Sequence, residues 1–339
     1  MEFYRFMAAV MILCYHCYWF AFREDGTQFI GFYLFVELFY VLSGFLMLRS
    51  IRRHVTPEQR LDAANTTLRY VGGRVRAFYP HHLLSWVLVA LIEIFLLHSM
   101  FPIELVQAGW TELLLVNVFG FVRGGYVNIV CWYLSALIFA SAGIYYWLLR
   151  DEEGFVKIAA PLILVIFYGC LFDRKGSLAN TIIFTRYSAP LGFMRAAADI
   201  AAGVEAYRVY EWMEDTELPL EPLIATLLEG MILAASFLYM YKNTGKFDFL
   251  FVPLFAAFVI SVFRGKSYLT RALDNPLSEW LGRQSFAFFL NNAVVIYPVM
   301  VFFPDMDIVS MCLVCVPLCL AVSVATGAIV GTGRRPRSA

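Results

Sequence analysis

The sequence predicts an all-α, polytopic membrane protein, a transmembrane helical bundle of about ten spans. The chain of 339 residues is 61% hydrophobic and only 15% charged. Its mean hydropathy is +0.70, which is far from the balance of a soluble domain. Its apolar residues form separate runs of about 17 to 25 residues, the length that a helix needs to cross a bilayer. The charges gather in the short segments between those runs.

Ten apolar runs are long enough to be spans. They lie near 3–22, 29–49, 80–99, 127–149, 156–172, 188–209, 223–241, 247–263, 281–303 and 308–330. The run at 110–122 is too short to cross and is predicted to be re-entrant or interfacial, and the number would be eleven if it crossed. We expect one membrane domain, residues 1–331, followed by a short basic cytoplasmic tail, residues 332–339.

The loop between the second and third runs sets the predicted orientation. From Arg49 to Arg76 it holds seven arginines against two acidic residues, so the positive-inside rule places it in the cytoplasm. With ten spans, both termini and the basic segment 264–283 are then cytoplasmic as well. The segment 172–186, which is also basic, falls on the outer side against the rule.

Charge and cysteine content exclude several classes of function. Lys plus Arg equal Asp plus Glu at 26 each, so no basic surface indicates a nucleic-acid partner. The seven cysteines lie in apolar runs, where a free cysteine behaves as a small hydrophobe, and no disulfide framework is predicted. Cys14, His16 and Cys17 have a spacing like that of metal ligands, but on a helix His16 points away from both cysteines, so no metal site is predicted.

Ionisable residues inside the first two runs are the strongest functional signal. Arg5 and His16 are eleven residues apart, about three helical turns, so they share one face. Charged groups within a membrane are costly to hold and usually mark a functional site. Glu37 in the second run lies at a depth similar to that of His16, so a carboxylate could orient the imidazole as a general base. The alternative is a structural polar pair that joins two helices.

Arg5 also has two interpretations. It could extend to the cytoplasmic headgroups, as arginines at helix ends commonly do. Arg74 and Arg76 reach the same membrane face just before the third run, so the three could instead form a basic mouth for a phosphorylated cofactor. Farther along the chain, Arg195 and Asp199 are four residues apart on one predicted helix and are expected to neutralise one another.

Two segments resemble a known family. EFYRFMAAVMILCYH is similar to the first helix of the acyltransferase-3 membrane family, in which an acidic residue and an arginine precede a tyrosine–histidine pair, here Tyr15 and His16. FVELFYVLSGFLML resembles the second-helix signature of that family, with Glu37, Ser43 and Gly44 at the matching positions. The two segments together are specific, whereas either alone would be weak.

Weaker matches follow. RVRAFYP is similar to the family's arginine-rich approach to the third helix, but the arginine is displaced to Arg76, and Arg49 and Arg52 offer an alternative pair. WYLSA, with Trp132 and Ser135, resembles the tryptophan–leucine–serine motif. SFAFFLNNAVV resembles a late segment of the family, with Asn292 where a histidine commonly stands, which argues against a titrating group there.

The resemblance implies an integral membrane O-acyltransferase of the bacterial cytoplasmic membrane. It would move an acyl group, expected to be acetyl, from acyl-CoA to a hydroxyl of a carbohydrate or another cell-envelope acceptor, without a metal. His16 would be the catalytic base and Glu37 its partner, with Tyr15 and Ser43 as hydrogen-bonding candidates. The acyl-CoA would be held by some of Arg5, Arg49, Arg52, Arg74 and Arg76.

Two other functions stay open at this point. Intramembrane arginine, histidine and glutamate also build proton pathways, so a proton-coupled transporter or flippase of a polar or lipid-linked substrate is the main alternative. The chain shows neither an internal repeat nor a pair of broken helices in its sequence, which favours the enzyme. A catalytically silent sensor is the third reading, which a large separation of His16 and Glu37 would favour.

Overall fold

A computed structural model describes residues 1–21, 28–121, 126–179, 190–214, 216, 220–242 and 245–331. Within these residues the chain is all helical and has no strand, as the sequence predicts. The predicted basic tail 332–339 and the second half of the basic segment 172–186 lie outside the described residues.

The helices follow one another with short connections. In chain order they are α1 (Glu2–Ala21), α2 (Phe35–His54), α3 (Pro57–Leu61), α4 (Ala63–Phe95), α5 (Pro102–Leu113), α6 (Trp132–Arg150), α7 (Glu152–Gly154), α8 (Ala160–Lys175), α9 (Leu191–Glu214), α10 (Glu221–Tyr241), α11 (Phe251–Arg264), α12 (Tyr268–Ala272), α13 (Pro276–Leu290), α14 (Asn292–Phe302) and α15 (Ile308–Val330). A π-helical turn at Phe155–Ala159 joins α7 to α8. Buried apolar residues from α1 to α15 form one large core.

Six helices of the described chain are long and apolar enough to cross a membrane, and the bent pair α13 and α14 brings the number to seven if it counts as one span. The predicted number of ten is not confirmed. Helix α11 has only 14 residues, about 21 Å of helix against a hydrocarbon core of about 30 Å. Helices α1 and α9 carry ionisable residues within their apolar sequences, among them Arg5, His16, Arg195 and Asp199.

Ion pairs gather several helix ends at one end of the bundle. Arg52, near the end of α2, donates to Glu152 at 2.7 Å and also pairs with Glu211 of α9. Arg60 of α3 donates to the same Glu152 at 3.0 Å. Arg264, at the end of α11, pairs with Glu221 at the start of α10 at 2.6 Å. We call this the basic-loop end, because the arginine-rich segment 49–76 begins there.

Helices α2 and α9 form a close parallel pair through two glycines. A Cβ atom on Gly44 of α2 would lie 2.0 Å from the carbonyl oxygen of Ile200 on α9. A Cβ atom on Gly203 of α9 would lie 2.0 Å from the carbonyl oxygen of Val41 on α2. Small residues permit such backbone approach between membrane helices. Each glycine therefore fits against the backbone of the other helix.

A break between α13 and α14 bends the chain by 64°. Such a break frees backbone carbonyls, which need other donors when they are buried. The carbonyl of Leu290 accepts from Ser85 Oγ at 2.6 Å and from Asn128 Nδ2 at 3.2 Å. The break therefore has its own hydrogen-bond partners, and it places Asn292, the first residue of α14, beside α1.

Candidate functional site

A cavity of about 490 Å³ lies between α1, α2, α4, α6 and α13. Its wall is mostly apolar and includes Phe39, Leu42, Phe78 and Leu137. Three polar groups that the sequence predicts for the site, Arg5, Arg74 and Ser43, also line it. The cavity is therefore an apolar chamber with two guanidinium groups in its wall.

The two arginines of the cavity are held by neighbours. Arg5 donates to Glu2 at 2.9 Å, and its side chain keeps 33% of its surface exposed. Glu2 in turn packs on α13 at Gly282, where a Cβ atom would lie 2.9 Å from the Cα atom of Glu2. Arg74 NH1 donates to the hydroxyl of Tyr70 at 2.7 Å. Both guanidinium groups therefore keep a defined position, and neither is fully neutralised by a buried acid.

The other three predicted arginines lie elsewhere. Arg49 stacks over the ring of Phe263 on α11, with 5.1 Å from its Cζ to the ring centroid. Arg52 is held by Glu152 and Glu211 at the basic-loop end. Arg76 is exposed and does not line the cavity, because two residues along a helix from Arg74 correspond to about 200° of rotation. The structure therefore does not bring the five arginines together.

His16 is buried and contacts an amide. Its Nδ1 lies 2.9 Å from Nδ2 of Asn292, and only 8% of the residue is exposed. The Oδ1 atom of Asn292 accepts from the thiol of Cys319 on α15 at 3.7 Å. The amide thus links α1 to α15. With Nδ2 toward the ring, Nδ1 is the acceptor and the neutral imidazole carries its proton on Nε2.

Glu37 pairs with Arg195 and not with His16. Arg195 donates from Nε to Oε1 at 2.9 Å and from NH2 to Oε2 at 2.5 Å, with both side chains almost fully buried. The predicted His16–Glu37 pair is therefore not formed, because the close contact of α2 and α9 brings Arg195 to the carboxylate. Asp199, one turn along α9 from Arg195, accepts from the hydroxyl of Tyr168.

One aromatic ring separates the cavity from His16. Phe289 of α13 lines the cavity, and its ring centroid lies 6.4 Å from that of His16. The same ring lies 5.4 Å from that of Tyr133, which also lines the cavity. His16 itself does not line the cavity. Phe289 therefore stands between the chamber and the imidazole.

The remaining motif residues have structural contacts. The ring of Tyr15 packs edge-on against Tyr33 at 5.5 Å. The hydroxyl of Ser43 donates to the carbonyl of Phe39 at 2.8 Å. Trp132 stacks under the guanidinium of Arg195 at 5.7 Å, and the hydroxyl of Ser135 accepts from the backbone of Val118 at 3.3 Å. Most of these residues therefore support the site through packing.

Sequence reasoning did not identify Asn292 and Phe289 as residues around His16. In the sequence Asn292 stands out only as a departure from a histidine, and Phe289 is one of 32 phenylalanines. In the part of the chain that the structure describes, no group of three or more His, Cys, Asp or Glu residues is placed to hold a metal ion.

A family model described as an acyltransferase domain, of the acyltransferase-3 type, matches residues 1–329 of the chain. No curated protein and no solved structure matches.

Proposed function

Because the chain belongs to the acyltransferase-3 family, we propose that it is a membrane-embedded O-acyltransferase. It moves an acyl group, acetyl in the simplest case, from acyl-CoA to a hydroxyl of a carbohydrate or another cell-envelope acceptor. We place it in the bacterial cytoplasmic membrane, with the basic-loop end in the cytoplasm as the positive-inside rule indicates.

The cavity is the observation that carries this proposal. Arg5 and Arg74 supply guanidinium groups, which bind phosphates through charge-assisted hydrogen bonds. The apolar wall suits the uncharged arm of acyl-CoA, and ligand sites typically combine such walls with a few polar groups. Arg5 and His16 lie on one helix, separated by a rise of about 16 Å. The donor can therefore extend from the two arginines toward His16.

His16 is the proposed general base. It removes the proton of the acceptor hydroxyl while the hydroxyl oxygen attacks the thioester carbonyl carbon. The bond from carbon to sulfur breaks, the acyl ester forms, and the CoA thiolate leaves and takes up the proton that His16 removed, so the imidazole is neutral again. The base atom is Nε2, which faces away from Asn292.

Asn292 supports this role once its side-chain amide has rotated by 180°. Nε2 can accept a proton only in the neutral tautomer that carries its proton on Nδ1. When the side-chain amide rotates by 180°, its oxygen takes the position that its nitrogen had. In that orientation Asn292 Oδ1 accepts from Nδ1–H. Glu37 acts indirectly in this proposal, because its pair with Arg195 fixes α2, which forms one wall of the cavity, against α9.

An isotope-labelled donor tests the proposal. Membranes that contain the protein are incubated with labelled acetyl-CoA and a cell-envelope extract, and the label in ester linkage is measured. We expect His16→Ala to lower the rate about 10²- to 10⁴-fold, the usual contribution of a general base. His54→Ala is the matched control, because His54 is exposed at the end of α2, and it should keep the wild-type rate.

Two results would contradict this function. If His16→Ala transfers the acyl group at the wild-type rate, with equal amounts of protein in the membrane, His16 takes no part in the chemistry. Movement of a labelled sugar across vesicles in the absence of any acyl donor, without ester formation, would favour the transporter.

A further inference from the structure

Phe289 is part of the wall of the cavity. The residue is 7% exposed, and its ring lies 5.4 Å from that of Tyr133 and 6.4 Å from that of His16 between centroids. Phe39 also lines the cavity, with 6.4 Å between its ring and that of Tyr133. Phe39, Tyr133 and Phe289 thus form an aromatic part of the cavity wall, and of these three rings Phe289 is the one that packs against the imidazole of His16.

Tyr133, another aromatic residue of this wall, is held in place by Tyr40. Tyr133 stacks on Tyr40 with 4.7 Å between ring centroids, and Tyr40 is fully buried. The hydroxyl of Tyr40 donates to the backbone carbonyl of Tyr133 at 3.4 Å. The side chain of Tyr133 therefore cannot move away from the cavity, since protein interiors are close-packed. Of the rings that contact His16, Phe289 is the one that also lines the cavity, so the space between the cavity and the imidazole depends on Phe289.

Phe289 also belongs to the element that holds His16. It lies three residues before Asn292, on the last turn of α13 where the chain breaks. The carbonyl of the next residue, Leu290, is fixed by Ser85 and Asn128. The backbone of Phe289 is therefore held in place. Its ring extends from this fixed position toward the space between the cavity and His16.

We propose that Phe289 sets the length of the acyl group that the protein transfers. This inference rests on the proposed function and adds the specificity of the same site. An acyl group must share the space beside His16 with this ring, so a short group fits and each added methylene contacts the ring. A missing or extra methylene in an apolar pocket changes kcat/KM about 10- to 200-fold.

The test compares donors of different length. For each variant, kcat/KM is measured with acetyl-CoA and with butyryl-CoA, and the ratio of butyryl to acetyl is the readout. We expect Phe289→Ala to raise this ratio at least about tenfold, with Phe289→Leu between it and the wild type.

Phe286→Ala is the matched control. Phe286 lies one turn earlier on α13 and lines the same cavity. Its ring packs on Phe78 at 6.0 Å and on His81 at 6.1 Å, away from His16. Its loss can weaken binding of all donors, but the ratio of butyryl to acetyl should stay that of the wild type.

The results separate this inference from the proposed function. An unchanged or lower ratio in Phe289→Ala, while acetyl transfer persists, would overturn the role of Phe289 and leave the function intact. If Phe289→Ala does not fold, the conservative Phe289→Leu decides by the same criterion. Absence of transfer from every donor by the wild type would instead overturn the proposed function.

Discussion

At the scale of single residues, His16 depends on a neutral partner. A carboxylate next to an imidazole holds one tautomer by charge, whereas an amide can present either an acceptor or a donor. Asn292 is fully buried and reaches His16 at 2.9 Å. In the proposed function, the base is therefore oriented by an uncharged group.

Substitution of Asn292 tests which end of the amide matters. Asn292→Leu is similar in size but cannot hydrogen-bond, so Nδ1 loses its partner, and the loss of a buried hydrogen bond is about 1–3 kcal/mol. We expect acyl transfer to fall about 10- to 100-fold with the KM for acyl-CoA nearly unchanged. Asn292→Asp keeps an acceptor for Nδ1–H and should retain more activity than Asn292→Leu. The rates are measured in the labelled-donor assay.

The opposite order would contradict this role. A merely structural Asn292 would tolerate leucine better than aspartate, because a buried carboxylate is costly to desolvate. Higher activity in Asn292→Leu than in Asn292→Asp, at equal levels of folded protein, would show that the amide packs and does not orient His16.

At the scale of elements, the contact of α2 with α9 determines the partner of Glu37. The glycines at 44 and 203 let the two backbones touch, and the pair of Glu37 and Arg195 lies seven to eight residues before them on the same two helices. The Gly44 of the family-like LSGF segment is therefore a packing residue.

A side chain at Gly44 should separate the two helices. In Gly44→Ala the new Cβ would meet the carbonyl oxygen of Ile200 at 2.0 Å, so the backbones must move, and overpacking of this kind costs about 1–3 kcal/mol. We expect a lower midpoint of thermal unfolding in detergent and less acyl transfer, since Arg195 then leaves Glu37.

Gly143→Ala provides the control. Gly143 is exposed on α6, and a Cβ atom there would meet nothing within 4 Å. Alanine favours a helix by up to about 1 kcal/mol over glycine, so this variant should be as stable as the wild type or more so. Equal stability of Gly44→Ala and Gly143→Ala would show that the crossing tolerates a side chain.

At the scale of the whole molecule, the sequence predicts which segments are helices better than it predicts which residues contact one another. Apolar runs and their lengths come from neighbouring residues, so the all-helical class and the membrane helices follow directly. The residues that meet at the site are far apart in sequence. Arg195 is 158 residues from Glu37, and Asn292 is 276 residues from His16. A single sequence carries no signal for such pairs, so it predicts the nearest charge of similar depth, Glu37, as the partner of His16.

The number of spans needs a test of the whole chain. Helices α8 and α10 are apolar enough to cross, whereas α9 is not among the helices that pass this criterion. If α9 also crosses, three passes lie between Glu153 and Lys242, and the two residues are on opposite sides. If α9 does not cross, there are two passes and the residues share a side. Lys242 and Asp274 flank α11. They lie on opposite sides of the membrane if α11 crosses and on the same side if it does not.

We predict that α9 and α11 both cross, because ion pairs hold their ends at the basic-loop end, Glu211 with Arg52 and Arg264 with Glu221. Single cysteines replace Glu153, Lys242 and Asp274, all exposed, after Cys170→Ser removes the exposed native cysteine. A membrane-impermeant thiol reagent should label only the Lys242→Cys variant in intact cells, and the other two only after permeabilisation. Labelling of all three under one condition would mean that neither helix crosses and that the bundle has fewer spans than ten.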